Sequence, residues 1–516
     1  MIGTAMLRRF KGLGLSAALS LSLVAVCGCG SDYSPPDLPT TGAPAAALGQ
    51  VIDLEVTLPQ LLIQGAVQRG VELELTLHVE AGGFGERFAK VEPGLARWDQ
   101  ASGTVEDLSV NGGTTVFASP TSWTTGRIGP LRVADTVFEL TVRGDSIDGG
   151  WSVAGESWES QSGLPGTFAG WRRQRFLLTT TDFFASGQVA EVAWVKQREL
   201  RLTDGLELVS SDPELRVTGG AVFVINRFTF DNLQRLDPDD GFRTAWQAGT
   251  GAGSNPHDVL MLDDERAFVS RYEPPFDDVA RFTPKGGTVR ASIPLEEEAE
   301  NRDGTPRLDR LAYAGGYVFA GMQDIDRTFT RYAEGKLAVI DPDTDSVAGV
   351  VALGGKNPGV IEVVETPDGE RLYVALAGIF PGLVPRELSG GVVVVDPVDW
   401  AVESWALDDD DAGGNIGGLA MVSPGLGYTI VVDEQFRSSV VAFDPVAARP
   451  LRTVRSTPDF LPEIALGGSG LLAVPERSFV EPKVCLYRIP ADPQDAETAL
   501  GCVNLGLPPF AIEALD

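Results

Sequence analysis

Residues 357–378, NPGVIEVVETPDGERLYVALAG, and 390–407, GGVVVVDPVDWAVESWAL, spell out one complete unit of a repeated pattern. β-Branched and aromatic residues gather in four short runs punctuated by Gly, Pro, Asp and Asn, so the unit reads as four antiparallel strands. The first follows Asn357-Pro358, the second is RLYVA (371–375), the third ends in VVVVDP (392–397) and the fourth is AVESWAL (401–407). The end of the third run recurs as LDP (236–238), FTP (282–284), IDP (340–342), VDP (395–397), FDP (443–445) and RIP (488–490). Successive prolines lie 46, 58, 55, 48 and 45 residues apart. Such a period fits the four-stranded blades of a β-propeller, with the variation absorbed in loops. Proline suits these corners because its fixed φ matches the turn and its missing N–H falls outside the ladder.

Six proline turns require at least six blades. VAEVAWV (189–195) and RELRLTDGLELV (198–209) supply three strands before the first full unit, and the terminal PPFAIEAL (508–515) resembles the start of another. Joining the two ends would close the ring and leave no open edge, so the expected count is seven, with six the alternative.

Before the repeats, alternation of period two recurs in VIDLEVTL (51–58), VELELTLHVE (71–80), TVFELTVRG (136–144), GGWSVAG (149–155) and GTFAGWRR (166–173). Residues 48–180 therefore read as an antiparallel β-sandwich or small barrel, and 188–516 as the propeller. The whole chain is expected to be all-β. His78 falls within one of the early strands, where a lone histidine serves packing or surface.

The first residues, MIGTAMLRRFKGLGLSAALSLSLVAVCGCG, join a basic start at Arg8, Arg9 and Lys11 to an apolar run from Leu13 to Val26. This is the pattern of an export signal, too short for a spanning helix. The junction Val-Cys-Gly-Cys places small Gly28 before Cys29 and resembles a bacterial lipobox, so residues 1–28 are expected to be removed and Cys29 lipidated. Cys27 is the rival, disfavoured by bulky Val26. The Pro-rich stretch within 29–47 suits a flexible tether. These features imply a lipoprotein of the bacterial envelope, at the outer membrane or cell surface rather than the inner membrane. Two cysteines then remain, Cys485 and Cys502, expected to pair in an oxidising compartment.

The chain holds 41 basic and 72 acidic side chains, a net charge of −31. Removing residues 1–28 takes three basic groups and no acid, leaving 38 against 72, or −34. A surface of that sign repels nucleic acid and anionic headgroups.

The segment KLAVIDPDTDSVAGVVALGGKNPGVIEVVETPDGERLYVAL (336–376) resembles the repeat of YVTN-type β-propellers: a strand ending Ile-Asp, a turn, a Gly-x-Asn-Pro entry, then Pro-Asp-Gly before Tyr-Val. NPHDVLMLDDERAFVS (255–270) is a looser copy. The resemblance covers about 188–516 and implies a fold and an exported location, with binding or scaffolding as the role. In this reading His257 occupies the blade-entry position and caps it.

No haem-attachment, Gly-x-Ser-x-Gly, His-Glu-x-x-His, phosphate-loop or dinucleotide motif occurs, and no cofactor, metal site or catalytic residue is assigned. Asp341-Pro-Asp-Thr-Asp begins like a calcium loop but lacks the later Gly and Glu, and reads as a turn with exposed acids. Asp408–Asp411 reads as a solvated loop between blades. The alternative function, a metal-dependent lactonase-like or sugar-hydrolysing propeller, needs acids converging at the innermost strand entries, which read here as Pro, Gly and Asn with few acids. Binding to a protein or glycan partner is the expectation. The loops between second and third strands form the expected rim, each with arginine and an aromatic: Arg227 with Phe228, Arg271 with Tyr272, Arg331 with Tyr332, Arg386 with Phe380, Arg437 with Phe436, and Arg477 with Phe479. These residue types dominate interface hot spots. Arg271, Tyr272, Arg331 and Tyr332 are expected at its centre.

Overall fold

A computed structural model describes residues 50–515 apart from 64–65, 82–86, 100–104, 112–113, 118–124, 134–135, 144–145, 154–158, 161–165, 381, 383 and 469. The expected leader 1–28, the expected lipidation site Cys29 and the whole expected tether 29–47 lie outside the described residues, as does Cys27. Two compact units result: the described residues up to Arg175 with Ala193–Arg201, and Phe176–Val192 with Leu202–Leu515.

The first unit carries one ten-stranded antiparallel sheet. Strand Gly166–Arg172 pairs both with Gln50–Ile63 and with Ser146–Val153, so the pairing runs round in a ring. Of the two readings, sandwich and barrel, the sheet takes the closed one. The period of two explains the core: Val71, Leu73, Leu75 and Leu77 are buried while Glu72, Glu74, Thr76 and His78 between them are not. They pack with Leu54, Val56, Phe138 and Leu140.

The second unit is a β-propeller of seven four-stranded antiparallel sheets among the described residues. In chain order blades 1 to 6 span 213–249, 256–294, 308–352, 358–408, 415–457 and 465–504. The closing blade combines both ends: Pro509–Ala514 is its innermost strand and pairs with Gln174–Thr181, followed by Gly187–Val195 and Glu199–Val209. This corrects two readings. Phe176–Thr181 belongs with the propeller unit, not the N-terminal one, and Glu199–Val209 is one strand rather than two. QRFLLTTT directly follows the last barrel strand, and its partner lies at the far end of the sequence.

Third strands end at Asp237, Asp341, Asp396 and Asp444, each directly before a repeated proline. In each turn the Asp Oδ1 accepts the backbone N–H two residues on, at 2.7–3.1 Å. The proline between them presets φ, so Asp-Pro makes the corner twice over. Asp341–Asp345 is thus such a turn, with Asp343 and Asp345 paired to Arg266 and Arg281.

The three inner strands of each blade are buried and the fourth is partly exposed; Val392–Val395 of blade 4 are buried while Ala401, Glu403 and Ser404 opposite are exposed. Asp408–Asp411 departs from its expected loop. Asp409–Ala412 is a short helix capped by Asp408, and buried Asp409 accepts the N–H of Gly390 at 2.9 Å. Burial, helped by Asp408 and Asp410 and opposed by that hydrogen bond, pushes the Asp409 carboxyl up to about 6. Among the described residues no helix is long and apolar enough to cross a membrane.

Candidate functional site

The innermost strands carry more acid than their sequence suggested. Glu214, Asp258, Asp309, Glu362 and Glu513 lie on five of the seven innermost strands and Glu463 just before a sixth, all 0–1% exposed. The expectation of few acids is corrected here: the acid keeps no single offset from the entry proline, following it directly at Glu214 and Glu463, two residues on at Asp258 and four on at Glu362, so no single motif displays it. Two arginines of these strands stand among the acids. Arg216 Nε lies 3.2 Å from Asp258 Oδ1 and its Nη1 3.6 Å from Glu513 Oε1. Arg310 Nη2 lies 3.6 Å from Glu214 and 3.5 Å from Glu463, with Nη1 3.8 Å from Asp258. Asp258 also accepts the N–H of Leu311, and Glu463 that of Ile512, both at 2.7 Å. Burial, together with the Glu214 carboxylate, pushes Glu463 well above the usual range, which favours its neutral form. The cluster joins residues of blades 1, 2, 3, 6 and the closing strand across the axis. Among the described residues no three His, Cys, Asp or Glu side chains are grouped to hold a metal ion.

His257 heads blade 2 and is buried. Its Nδ1 lies 3.0 Å from Asp309 Oδ1, and Asn255 Nδ2 lies 3.3 Å from Nε2. The carboxylate assigns the proton to Nδ1, leaving Nε2 to accept from the amide. The ring stacks on Tyr272 at 4.0 Å, whose hydroxyl donates to Gln323, which donates in turn to Asp309. Burial pulls the His257 pKa below its ordinary value, against the opposing hydrogen bond to Asp309. Neutral and fully enclosed, the imidazole links blades 2 and 3.

The rim is built by a common bond. In six blades the residue at or just after the end of the second strand donates its N–H to the carbonyl of the blade's entry: Thr181 to Pro508, Arg227 to Asp212, Tyr272 to Ser254, Gln323 to Arg307, Ala377 to Asn357 and Arg477 to Phe460, at 2.8–3.1 Å. Loops and entries therefore share one face.

Within that rim the sequence-derived residues separate. Arg227 is buried, pairs with Asp212 and Glu214, and lies over the Phe510 ring. Arg271 is buried against Asp278 and Tyr272 beneath Arg307. The expected centre is corrected on this point: Arg271 and Tyr272 are internal, because each finds a buried polar partner that an exposed loop would deny it. Arg386 is half-buried, donating to Asn415 Oδ1 at 2.7 Å. Arg477 donates to the carbonyls of Pro509 and Phe510 and lies over Phe183, Phe460 and Phe510. Arg331, Phe228, Phe436 and Arg437 are exposed, and Tyr332 is half-buried. Sequence reasoning missed Phe184, in the closing blade's loop, because that loop was not among those placed in the repeat. Cys485 and Cys502 are joined by a disulfide between the third and fourth strands of blade 6.

No family model matches the chain, and no curated protein matches it. Among solved structures it is similar to a protein from Lactobacillus plantarum, at 12% identity and TM-score 0.49, covering 67% of this chain and all of that one. It is also similar to the β-propeller domain of Myceliophteria thermophila Cps50 (Swd1), at 11% identity and TM-score 0.42, over 58% and 93% of the two chains. A third is the WD40 repeat structure of RRP9, at 12% identity and TM-score 0.42, over 57% and 80%.

Proposed function

We propose that this chain is a lipid-anchored bacterial envelope protein whose YVTN-like propeller binds or scaffolds a protein partner and catalyses no reaction. The observation that carries the reading is the division of labour between channel and rim. Of the innermost acids, Glu214, Asp258, Glu463 and Glu513 face arginines across 3.2–3.8 Å and Asp309 faces His257 at 3.0 Å, all enclosed, so these groups are committed to the fold. The rim, by contrast, holds large apolar side chains that remain exposed, among them Phe184, Phe228, Phe436 and Phe479. Cys29 after Gly28 would supply the anchor, and the Pro-rich stretch behind it the reach.

The test has two arms. Cys29→Ser in the full chain is expected to move the protein from the detergent phase to the soluble periplasmic fraction; persistent detergent partitioning overturns the anchor. Crosslinking in the native envelope is expected to join the wild type to a defined protein through rim residues. Stoichiometric divalent metal in purified protein, with turnover of lactones lost on chelation, would overturn the binding reading in favour of the hydrolase.

A further inference from the structure

The rim is two different surfaces. Across blades 2, 3 and 4 its phenylalanines are held down: Phe276 lies under Arg271 at 4.4 Å, Phe329 under Arg307 at 4.6 Å, and Phe380 packs on a core cluster. The next four blades round the ring are 5, 6, the closing blade and 1. Their loops turn rings outward: Phe436 is 57% exposed, Phe479 70%, Phe184 74%, and Phe228 and Phe230 about half. Val480 beside Phe479 is 88% exposed. The arc is continuous over three of these blades. Phe183 touches Phe479 at 5.6 Å, Arg477 of blade 6 reaches Phe183 and Phe510 of the closing blade, and Arg227 of blade 1 reaches Phe510 from the other side. Phe183, Phe228 and Phe436 have φ of 62°, 40° and 60°. Glycine or asparagine would fill such positions at lower cost, so the turns alone do not call for phenylalanine.

The chemistry of the arc selects its occupant. Its exposed rings are phenylalanines, which offer apolar area and no hydrogen-bond donor, so they suit aliphatic or aromatic side chains better than sugar hydroxyls. The exposed or half-exposed ionisable groups of these loops beyond Arg477 are Asp182, Asp433, Glu434 and Glu481 against Arg437. The chain as a whole is strongly acidic. Anionic headgroups are repelled, and a basic flank is attracted. We infer that the arc of blades 5, 6, closing and 1 docks a protein segment presenting apolar side chains flanked by lysine or arginine. This rests on the binding reading above and assigns its surface.

The test uses the full chain, wild type and F184S/F228S/F479S, with three probes: an amphipathic Leu/Lys peptide, the same peptide with Glu for Lys, and phosphatidylcholine/phosphatidylglycerol vesicles. The Leu/Lys peptide is expected to bind the wild type and to lose about tenfold or more in affinity with the triple variant, while the melting temperature stays near the parent's. If that variant melts lower, single F184S and F479S variants carry the comparison. Equal binding of the peptide by the variants, equal binding of the Leu/Glu peptide, or vesicle binding without peptide binding overturns the proposal. An envelope partner that crosslinks equally well to the triple variant would sink the arc and leave the binding function standing.

Discussion

Asp277 shows how one residue can set a pH dependence. It lies in the rim loop of blade 2, 3% exposed, with φ of 35° and an Oδ1 that finds no hydrogen bond. Burial, reinforced by Glu273 and Glu296 and opposed by Arg307 and Arg327, pushes its carboxyl up to about 7. The folded pKa is raised above the unfolded value, so the folded state is favoured at low pH and loses that advantage as pH rises through about 7. Asn tolerates the left-handed backbone and carries no charge. D277N is therefore expected to stabilise the protein by roughly 2 kcal/mol at pH 8 and to change little at pH 4, as read from denaturant midpoints. His257 has the opposite sign. Its folded pKa is depressed, so its contribution is present above about 6.5 and is lost as pH falls through the folded value. H257Q is expected to flatten the loss of stability on acidification below that point, and an unchanged slope would remove the imidazole as its source.

At the scale of the element, what the sequence displayed and what it hid follow from where the information sits. The Asp-Pro corners are local: Asp396, Pro397 and the N–H of Val398 lie within three residues, and the third strands end where the motif says. The disulfide was legible too, since Cys485 and Cys502 are the two cysteines of the sequence beyond residue 29. The inner acids were not, because Glu362 lies four residues past Pro358 whereas Glu214 follows Pro213 directly, and only the fold brings them to one axis. The tucked and open halves of the rim were equally hidden, since Arg271-Tyr272 and Arg227-Phe228 look alike until Asp278 and Gln323 are seen to claim the first pair. Blade 6 offers a test at this scale. Its innermost strand, Ala465–Gly467, is three residues long, so the blade has little inner ladder. Cys485 and Cys502 sit directly opposite each other on its third and fourth strands. The C485A/C502A variant is expected to lose about 2–4 kcal/mol, with hydrogen-exchange protection falling first in 471–504. Uniform loss over all blades would mean that the bridge stabilises the ring and not its own sheet.

At the scale of the whole propeller, closure runs through one strand. Pro509–Ala514 completes the closing blade, and everything else in that blade comes from 174–209. Its Ile512 N–H is held by Glu463 of blade 6, and Glu513 faces Arg216 of blade 1. Ladder and ion pairs therefore fasten it on both sides as well as along its length. Removing 509–516 would expose the edge of Gln174–Thr181 and leave Arg216 with fewer acidic neighbours in a buried setting, where an uncompensated charge costs about 3–5 kcal/mol. An open edge also invites pairing with another copy. The deletion is expected to lower the melting temperature sharply and to produce concentration-dependent aggregates. E513Q keeps the ladder and the shape while removing the charge, so it separates the two contributions. If E513Q accounts for most of the loss, the ring is held by its buried ion pairs; if it melts near the parent while the deletion collapses, the ladder holds it. A deletion variant that stays monomeric and melts like the parent would show that blades 1 to 6 keep their curvature without the seventh sheet, which a ring of packed neighbours open at one side does not predict.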